Sequence, residues 1–364
     1  MRNYRYRLWT ANEMKFFCRV ALFFCLPMIV AAESSDSVSL SESQQKFRSA
    51  LAGKLQNSGN KDAAAIAGDD GWLFFLPEFH FLSVDRFWGD GAVRVSRSHK
   101  SDAADPIRAI TDFQKQLKAR GIDLLVVPVP PKVSIYPEKI LTGFDIRSDD
   151  SAPYVHRFYE ELRNSGVDVL DLAPRFIQNR DDQRGGVFCK TDTHWSGLGC
   201  TLAAQAIAEQ LRGKLKDVGL RKEYVSEWKE AKISGDLVSL LPAGSKPGPE
   251  TISLRSVKEK ETGAGVRPDG NSPVLLLGDS HTLVFHDFLA EQAGLVDQIA
   301  QELGFAPDLI GTRGSGATPV RLNLYRHSTK NPDYLAKKKV VVWCFAAREF
   351  TEATEGWALI PVAK

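Results

Sequence analysis

Three stretches of this chain are short and almost wholly apolar: Ile122–Pro130 (IDLLVVPVP), Val274–Ser280 (VLLLGDS) and Lys339–Ala346 (KVVVWCFA). Each falls far short of the ~20 apolar residues a membrane-spanning helix needs. None alternates polar with apolar residues as a half-exposed strand would. Such runs mark strands buried on both faces of a parallel sheet. Segments of helical period lie between them: Asp105–Arg120, with Ile107, Ile110, Phe113 and Leu117 on one face, then Tyr154–Asn164, Leu198–Leu215 and most of Val284–Leu303. Val167–Leu172 and Asp308–Gly311 add two shorter strands. Strands separated by helices predict an α/β fold, a three-layer sandwich around a mainly parallel central sheet. Residues 221–270, charged and rich in Gly, Pro and Ser, read as an insertion on that sheet.

The start of the chain has a different composition. Basic residues up to Arg19 precede the apolar run Val20–Ala32, which ends on the small residues Ala31 and Ala32. A basic start, a short apolar stretch and a small-residue exit form a secretory signal. Residues 1–32 are therefore expected to be a signal peptide or an N-terminal anchor, followed by a polar linker over 33–64 and a folded body over 65–364. Periplasmic localisation follows, with retention at the inner membrane if the signal stays uncleaved. The formal net charge is +2, but five basic groups (Arg2, Arg5, Arg7, Lys15, Arg19) and one acid (Glu13) fall within the first 32 residues. The remainder holds 42 basic and 44 acidic groups, a net of −2. A body near neutrality lacks the basic footprint of nucleic-acid binding.

Of the five cysteines, Cys18 and Cys25 lie in the leader. Cys189 and Cys200 flank the segment Lys190–Gly199 and are positioned to form a disulfide around it in an oxidising compartment. Cys344 reads as a small buried hydrophobe. No cysteine–histidine spacing of a zinc site is present, so no metal is expected.

Two motifs carry chemistry. In LLLGDSHT (Leu275–Thr282) a buried strand runs into Gly-Asp-Ser, which places Ser280 at the carboxyl edge of the sheet, where open α/β folds bind ligands. The alternative is that Ser280 merely caps the following helix. In KTDTHWSGLG (Lys190–Gly199), Asp192 and His194 stand two apart, on one face of an extended segment. An acid there orients one imidazole nitrogen and frees the other to act as a base. A serine nucleophile needs a base, and the base an orienting acid. His281, next to Ser280, is a rival base, but a neighbour in sequence seldom points at its own neighbour's oxygen.

With Gly-Asp-Ser after a buried strand and Asp-x-His before a helix, the chain resembles the SGNH hydrolase superfamily, in reversed, circularly permuted motif order and with one residue fewer between Asp and His. That arrangement is similar to the alginate O-acetyltransferase family (AlgJ/AlgX-like), which also covers acetylation proteins of bacterial cellulose. GDDGWLFF (Gly68–Phe75), TDTHW (Thr191–Trp195) and VVWCFAAREF (Val341–Phe350) extend the resemblance over roughly residues 65–350.

The resemblance implies a triad of Ser280 as nucleophile, His194 as base and Asp192 as orienter, working through a serine acetyl-enzyme. It implies oxyanion or substrate contacts from the Ser280 amide and from Arg313, Gly314 and Gly316 in GTRGSG, and an arginine, Arg348, at the rim; Trp195 reads either as a surface for a sugar ring or, the commoner role, as a hydrophobic side chain buried under the motif. Cys344 stands where family members often carry an acid. The chain ends soon after the last strand, which implies the AlgJ-like type without an appended carbohydrate-binding module. No cofactor is implied; a membrane-bound O-acyltransferase partner would supply the acetyl group, alongside secretion-complex proteins and a polysaccharide acceptor such as alginate or cellulose. Two other readings share the residues: an SGNH esterase or deacetylase acting on acetylated carbohydrate, and a noncatalytic polysaccharide-binding assembly protein.

Overall fold

The structure is a computed structural model that describes residues 38–57, 64–216, 219, 221–241 and 246–364. The leader expected over residues 1–32 lies outside the described residues. Five strands form the central sheet in the order β4-β3-β9-β7-β8. They are β3 (Asp123–Val129), β4 (Asp168–Val169), β7 (Val274–Gly278), β8 (Asp308–Gly311) and β9 (Val340–Ala346). Every pairing among them is parallel. Strands β7 and β9 are buried at every residue, as is β3 beyond Asp123, so both faces of the sheet are covered. This is the arrangement that the continuous apolar runs predict. The helix Pro106–Lys118 packs on β3 and Thr318–Lys330 on β7 and β8.

Among the described residues two antiparallel pairs lie outside the sheet: the short β1 (Ala65–Ala67) with β2 (Leu73–Phe75), and the longer β5 (Tyr224–Ile233) with β6 (Glu250–Glu259). The second pair is the core of the expected insertion. It lies against the helices Gly197–Leu211 and Leu295–Leu303, where Arg255 donates to Gln298 Oε1 at 2.6 Å and to Glu302 Oε1 at 2.8 Å.

Three expectations need correction. Part of the stretch expected to be a linker is the helix Glu42–Asn57, with Phe47 and Leu51 fully buried. Those two residues stand four apart on one helical face, and Phe47 meets the Phe144 ring at 4.9 Å. The polar, serine-rich residues around them mask that stripe. Of Val284–Leu303, only Leu295–Leu303 is helical. Phe285, Leu289 and Gln292 take positive φ values of 64°, 62° and 62°, a left-handed backbone that no helix tolerates. The strand expected over Val167–Leu172 pairs only at Asp168–Val169.

Candidate active site

The segment carrying Asp192 and His194 turns between Phe188 and Trp195, which face each other in an antiparallel bridge. Asp192 Oδ1 accepts from the backbone N–H of His194 at 3.0 Å and lies 2.6 Å from Nδ1 of the same ring. Its other oxygen accepts from the Asp236 amide at 2.9 Å. Burial by itself would push the Asp192 carboxyl up, but the hydrogen bond and charge of His194, with the two backbone amides, bring it down to about 2. The acid is thus ionised at neutral pH and fixes the orientation of the imidazole.

Clamps from three parts of the chain hold this segment. Lys132, buried just beyond β3, donates to the carbonyls of Asp192 at 2.5 Å, Leu73 at 2.9 Å and Lys190 at 3.3 Å. Burial lowers its pKa, against the attraction of Glu78. Asp236, the first residue of the short helix Asp236–Ser239 that follows β5, accepts from the Thr193 amide at 2.8 Å and the Thr193 hydroxyl at 2.6 Å. Glu250, at the start of β6, accepts from the amides of Lys190 and Thr191 at 2.7 and 2.8 Å. A Cβ on Gly235 would meet the Thr191 carbonyl oxygen at 2.1 Å, so only glycine admits this approach of loop to motif. The sequence singled out none of Lys132, Asp236 and Glu250. The charge of Lys132 straight after a buried strand was the one available signal.

The serine comes from the opposite side. At the end of β7 a Cβ on Gly278 would lie 2.0 Å from the Cys344 carbonyl oxygen, so glycine lets β7 close onto β9 at this point. Asp279 then ties the turn down: Oδ1 accepts from the His281 amide at 2.9 Å and Oδ2 from the Ala346 amide at 2.7 Å. Held in this way, Ser280 Oγ lies 2.7 Å from His194 Nε2. Asp192, His194 and Ser280 form one continuous hydrogen-bonded chain. His281 does not compete for the serine. It is buried, its Nδ1 faces Asp279 at 3.3 Å, and burial lowers its pKa.

The remaining expected contacts divide. Gly314 has φ +111° and lines the cleft beside Ser280. Arg348 lines it too, lying over the Phe75 ring at 5.2 Å with Nη1 3.7 Å from Glu78 Oε1. Arg313 stacks on Phe288 at 4.5 Å, and Phe288 in turn meets the His194 ring edge-on at 5.6 Å, so Arg313 stands one aromatic ring away from the base. Gly316 is buried, with the site of its missing Cβ 2.5 Å from Phe345, and its carbonyl accepts from Trp343 Nε1 at 2.9 Å. It supports the turn and does not face the cleft. Of the two roles open to Trp195, the structure shows the buried one: it is fully buried, packs edge-on against His281 at 5.2 Å and offers no surface to a sugar ring. Cys189 and Cys200 are free buried thiols and not a disulfide; Cys189 Sγ donates to the Trp195 carbonyl at 3.4 Å.

The cleft over Ser280 has a volume of about 860 Å³. Phe75 and Leu240 contribute apolar wall, and Glu349, Glu352 and Glu355 line the side near Arg348. Burial pushes the Glu349 carboxyl up to about 7, against the charge of Arg348 and a hydrogen bond from the Ser315 hydroxyl. Among the described residues, Asp192, His194 and Asp236 are the one group close enough to share a metal ion. Their carboxylates already accept from His194, the Asp236 amide and Thr193, which is the bonding of an acid–base relay.

Residues 65–346 match the family described as "SGNH hydrolase-like domain, acetyltransferase AlgX". A Pseudomonas putida protein named "Probable alginate O-acetylase AlgJ" is 28% identical over 309 residues, 81% of this chain and 72% of that one. The Pseudomonas aeruginosa protein of the same name is 30% identical over 221 residues, 59% of this chain and 51% of its own length. The chain thus spans between about half and three quarters of these relatives. Among solved structures, the O-acetyltransferase domain of Pseudomonas putida AlgJ superposes with a TM-score of 0.60 at 23% identity, over 79% of this chain and 92% of that one. Pseudomonas aeruginosa AlgX gives 0.56 at 16% identity, over 84% and 66%. The two superpositions share the α/β fold described above.

Proposed function

The chain belongs to the AlgX acetyltransferase family of SGNH hydrolase-like domains, and from that premise we propose that it transfers acetyl groups to hydroxyls of a secreted polysaccharide through an acetyl-enzyme on Ser280. One observation carries the reading: His194 lies 2.6 Å from Asp192 on one ring nitrogen and 2.7 Å from the Ser280 hydroxyl on the other. Neutral imidazole in that position accepts the serine proton through Nε2 while Asp192 holds Nδ1–H.

The reaction has two halves. Ser280 Oγ attacks the acetyl carbonyl of the donor, and His194 Nε2 takes the hydroxyl proton. As the tetrahedral intermediate collapses, the bond to the donor oxygen breaks and that oxygen leaves with the proton from His194. A sugar hydroxyl then attacks the acetyl-Ser280 carbonyl and gives its proton to His194; the bond between the acetyl carbon and Ser280 Oγ breaks, and Oγ takes that proton back from His194. The negative oxygen formed in each half needs hydrogen-bond donors. The Ser280 amide, in the first turn of its helix, and the backbone at Gly314 serve that need.

Residues 1–32 would direct export to the periplasm or hold the chain at the inner membrane, where a membrane-bound O-acyltransferase supplies the acetyl group and secretion-complex proteins present the polymer. The names of the relatives support this reading of a polysaccharide acceptor. The experiment is to incubate the protein with a chromogenic acetyl ester and a defined oligosaccharide and to weigh the sugar by mass spectrometry. Acetylated sugar that disappears with Ser280→Ala is the expected result. Free acetate with unmodified sugar would overturn the transferase and leave an esterase.

A further inference from the structure

We infer that the acceptor is an uncharged polysaccharide and not a polyuronate; the inference rests on the acetyltransferase reading above and specifies its substrate class. The charges around Ser280 carry the argument. Four carboxylates line the cleft: Asp236, Glu349, Glu352 and Glu355. Two arginines, Arg97 and Arg348, face them. Arg348 is already committed, with Nη1 3.7 Å from the buried carboxylate of Glu78. His80 Nδ1 lies 2.5 Å from Glu352. Among the described residues that line the cleft, Arg97 is the one arginine or lysine without a carboxylate partner.

A polyuronate carries a carboxylate on every sugar. Its recognition calls for a row of cations, preferably arginines that grip each carboxylate through two parallel N–H donors. This cleft offers one such cation against four lining carboxylates, of which Glu352 is paired with His80. Like charges in a partly desolvated cleft repel, more strongly at low salt. Neutral sugar hydroxyls meet the opposite situation, because a carboxylate is a strong acceptor for an O–H donor. Glu349, raised to about 7, keeps part of its population protonated at neutral pH and can also donate. Phe75 and Leu240 offer apolar surface to the C–H faces of the same rings. Arg313, outside this lining, is stacked on Phe288 and adds charge only at a distance.

The test sets a glucose hexasaccharide with β-1,4 links against a mannuronate hexasaccharide, with a chromogenic acetyl ester as donor and mass spectrometry as readout. At low salt the neutral sugar is expected to be acetylated about tenfold faster or more. The gap is expected to shrink with added salt and with Glu355→Gln, which removes a charge and keeps a hydrogen-bonding group. Equal or faster acetylation of the mannuronate sugar overturns the inference. Binding of both sugars to Ser280→Ala, measured by calorimetry, separates this inference from the function it rests on. If neither sugar is acetylated but the neutral one binds more tightly at low salt, the transferase reading falls and the acceptor class stands. If the mannuronate sugar binds as tightly or more tightly, or neither sugar binds, the acceptor class falls.

Discussion

His194 and His156 both stand at the carboxyl side of the central sheet with a partner on each ring nitrogen. At His194 those partners are Asp192 and the Ser280 hydroxyl. At His156 they are two carboxylates, Asp150 at 2.7 Å and Asp171 at 3.4 Å. His156 borders a second cleft of about 600 Å³ beyond the ends of β3 and β4, where Pro130 and Pro131 form part of the wall. Its pKa is raised: burial opposes the proton, but the Asp150 hydrogen bond and the charges of both acids outweigh it. An imidazole between two acids keeps its proton to higher pH, and while protonated it has no lone pair to accept another. An imidazole between one acid and a hydroxyl keeps that lone pair and can act as a base. The residue types are nearly the same at the two sites, and the chemistry is set by what stands on the second nitrogen.

Substitutions at the two sites test the contrast, and the largest effects belong to His194. Ser280→Ala and His194→Ala are each expected to cut acetyl-ester turnover by about a thousandfold or more with the fold intact, as read from circular dichroism. Near-normal turnover in either variant would remove the triad. Asp192→Asn keeps the shape but supplies a neutral partner to Nδ1, and a loss of about a hundredfold or more in kcat is expected.

His156→Gln is expected to leave turnover within about threefold of the starting protein and to act on stability instead. The folded pKa of His156 is raised, so its contribution is fully present below the unfolded value of ~6.5 and is lost as pH rises through the folded value. The drop in melting temperature on substitution should therefore be larger at pH 5.5 than at pH 9. The pair is partly exposed to solvent, which keeps its worth to under about 1 kcal/mol. A Tm difference independent of pH would contradict the carboxylate clamp.

Glu349 shares that sign but not its cause, because there burial favours the neutral form of the group. Its folded pKa of about 7 exceeds the ordinary 4.5, so the buried carboxyl costs stability progressively as pH rises from about 4.5 to about 7 and stays costly above that. Glu349→Gln relative to the unsubstituted protein should become more favourable between pH 5 and pH 8. A flat Tm difference over that range would place the carboxyl in a more solvated setting than the one described.

What the sequence showed and what it concealed follow from the same physics. The sheet was legible because β3, β7 and β9 are buried on both faces and therefore read as unbroken apolar runs. His194 and Ser280, 86 residues apart, were legible because each sits in a motif whose local geometry aims its side chain. The clamps were not. Lys132, Asp236 and Glu250 act through backbone carbonyls and amides of a segment distant in sequence, and no periodicity marks such a residue. Trp195 was ambiguous for a related reason. A tryptophan beside a histidine reads as a sugar platform or as core, and the hairpin from Phe188 to Trp195 turns it into the core. The region read as an insertion, with its Asp236 and Glu250, is part of the apparatus that positions Asp192.

The measurement that bears most directly on this account is peptide-level mass spectrometry of the protein quenched during turnover of an acetyl ester. One acetyl group on the peptide that contains Ser280, absent from both Ser280→Ala and His194→Ala, is the predicted result. Turnover that proceeds at the normal rate with no acetyl on that peptide, or with acetyl on a different residue, would contradict it.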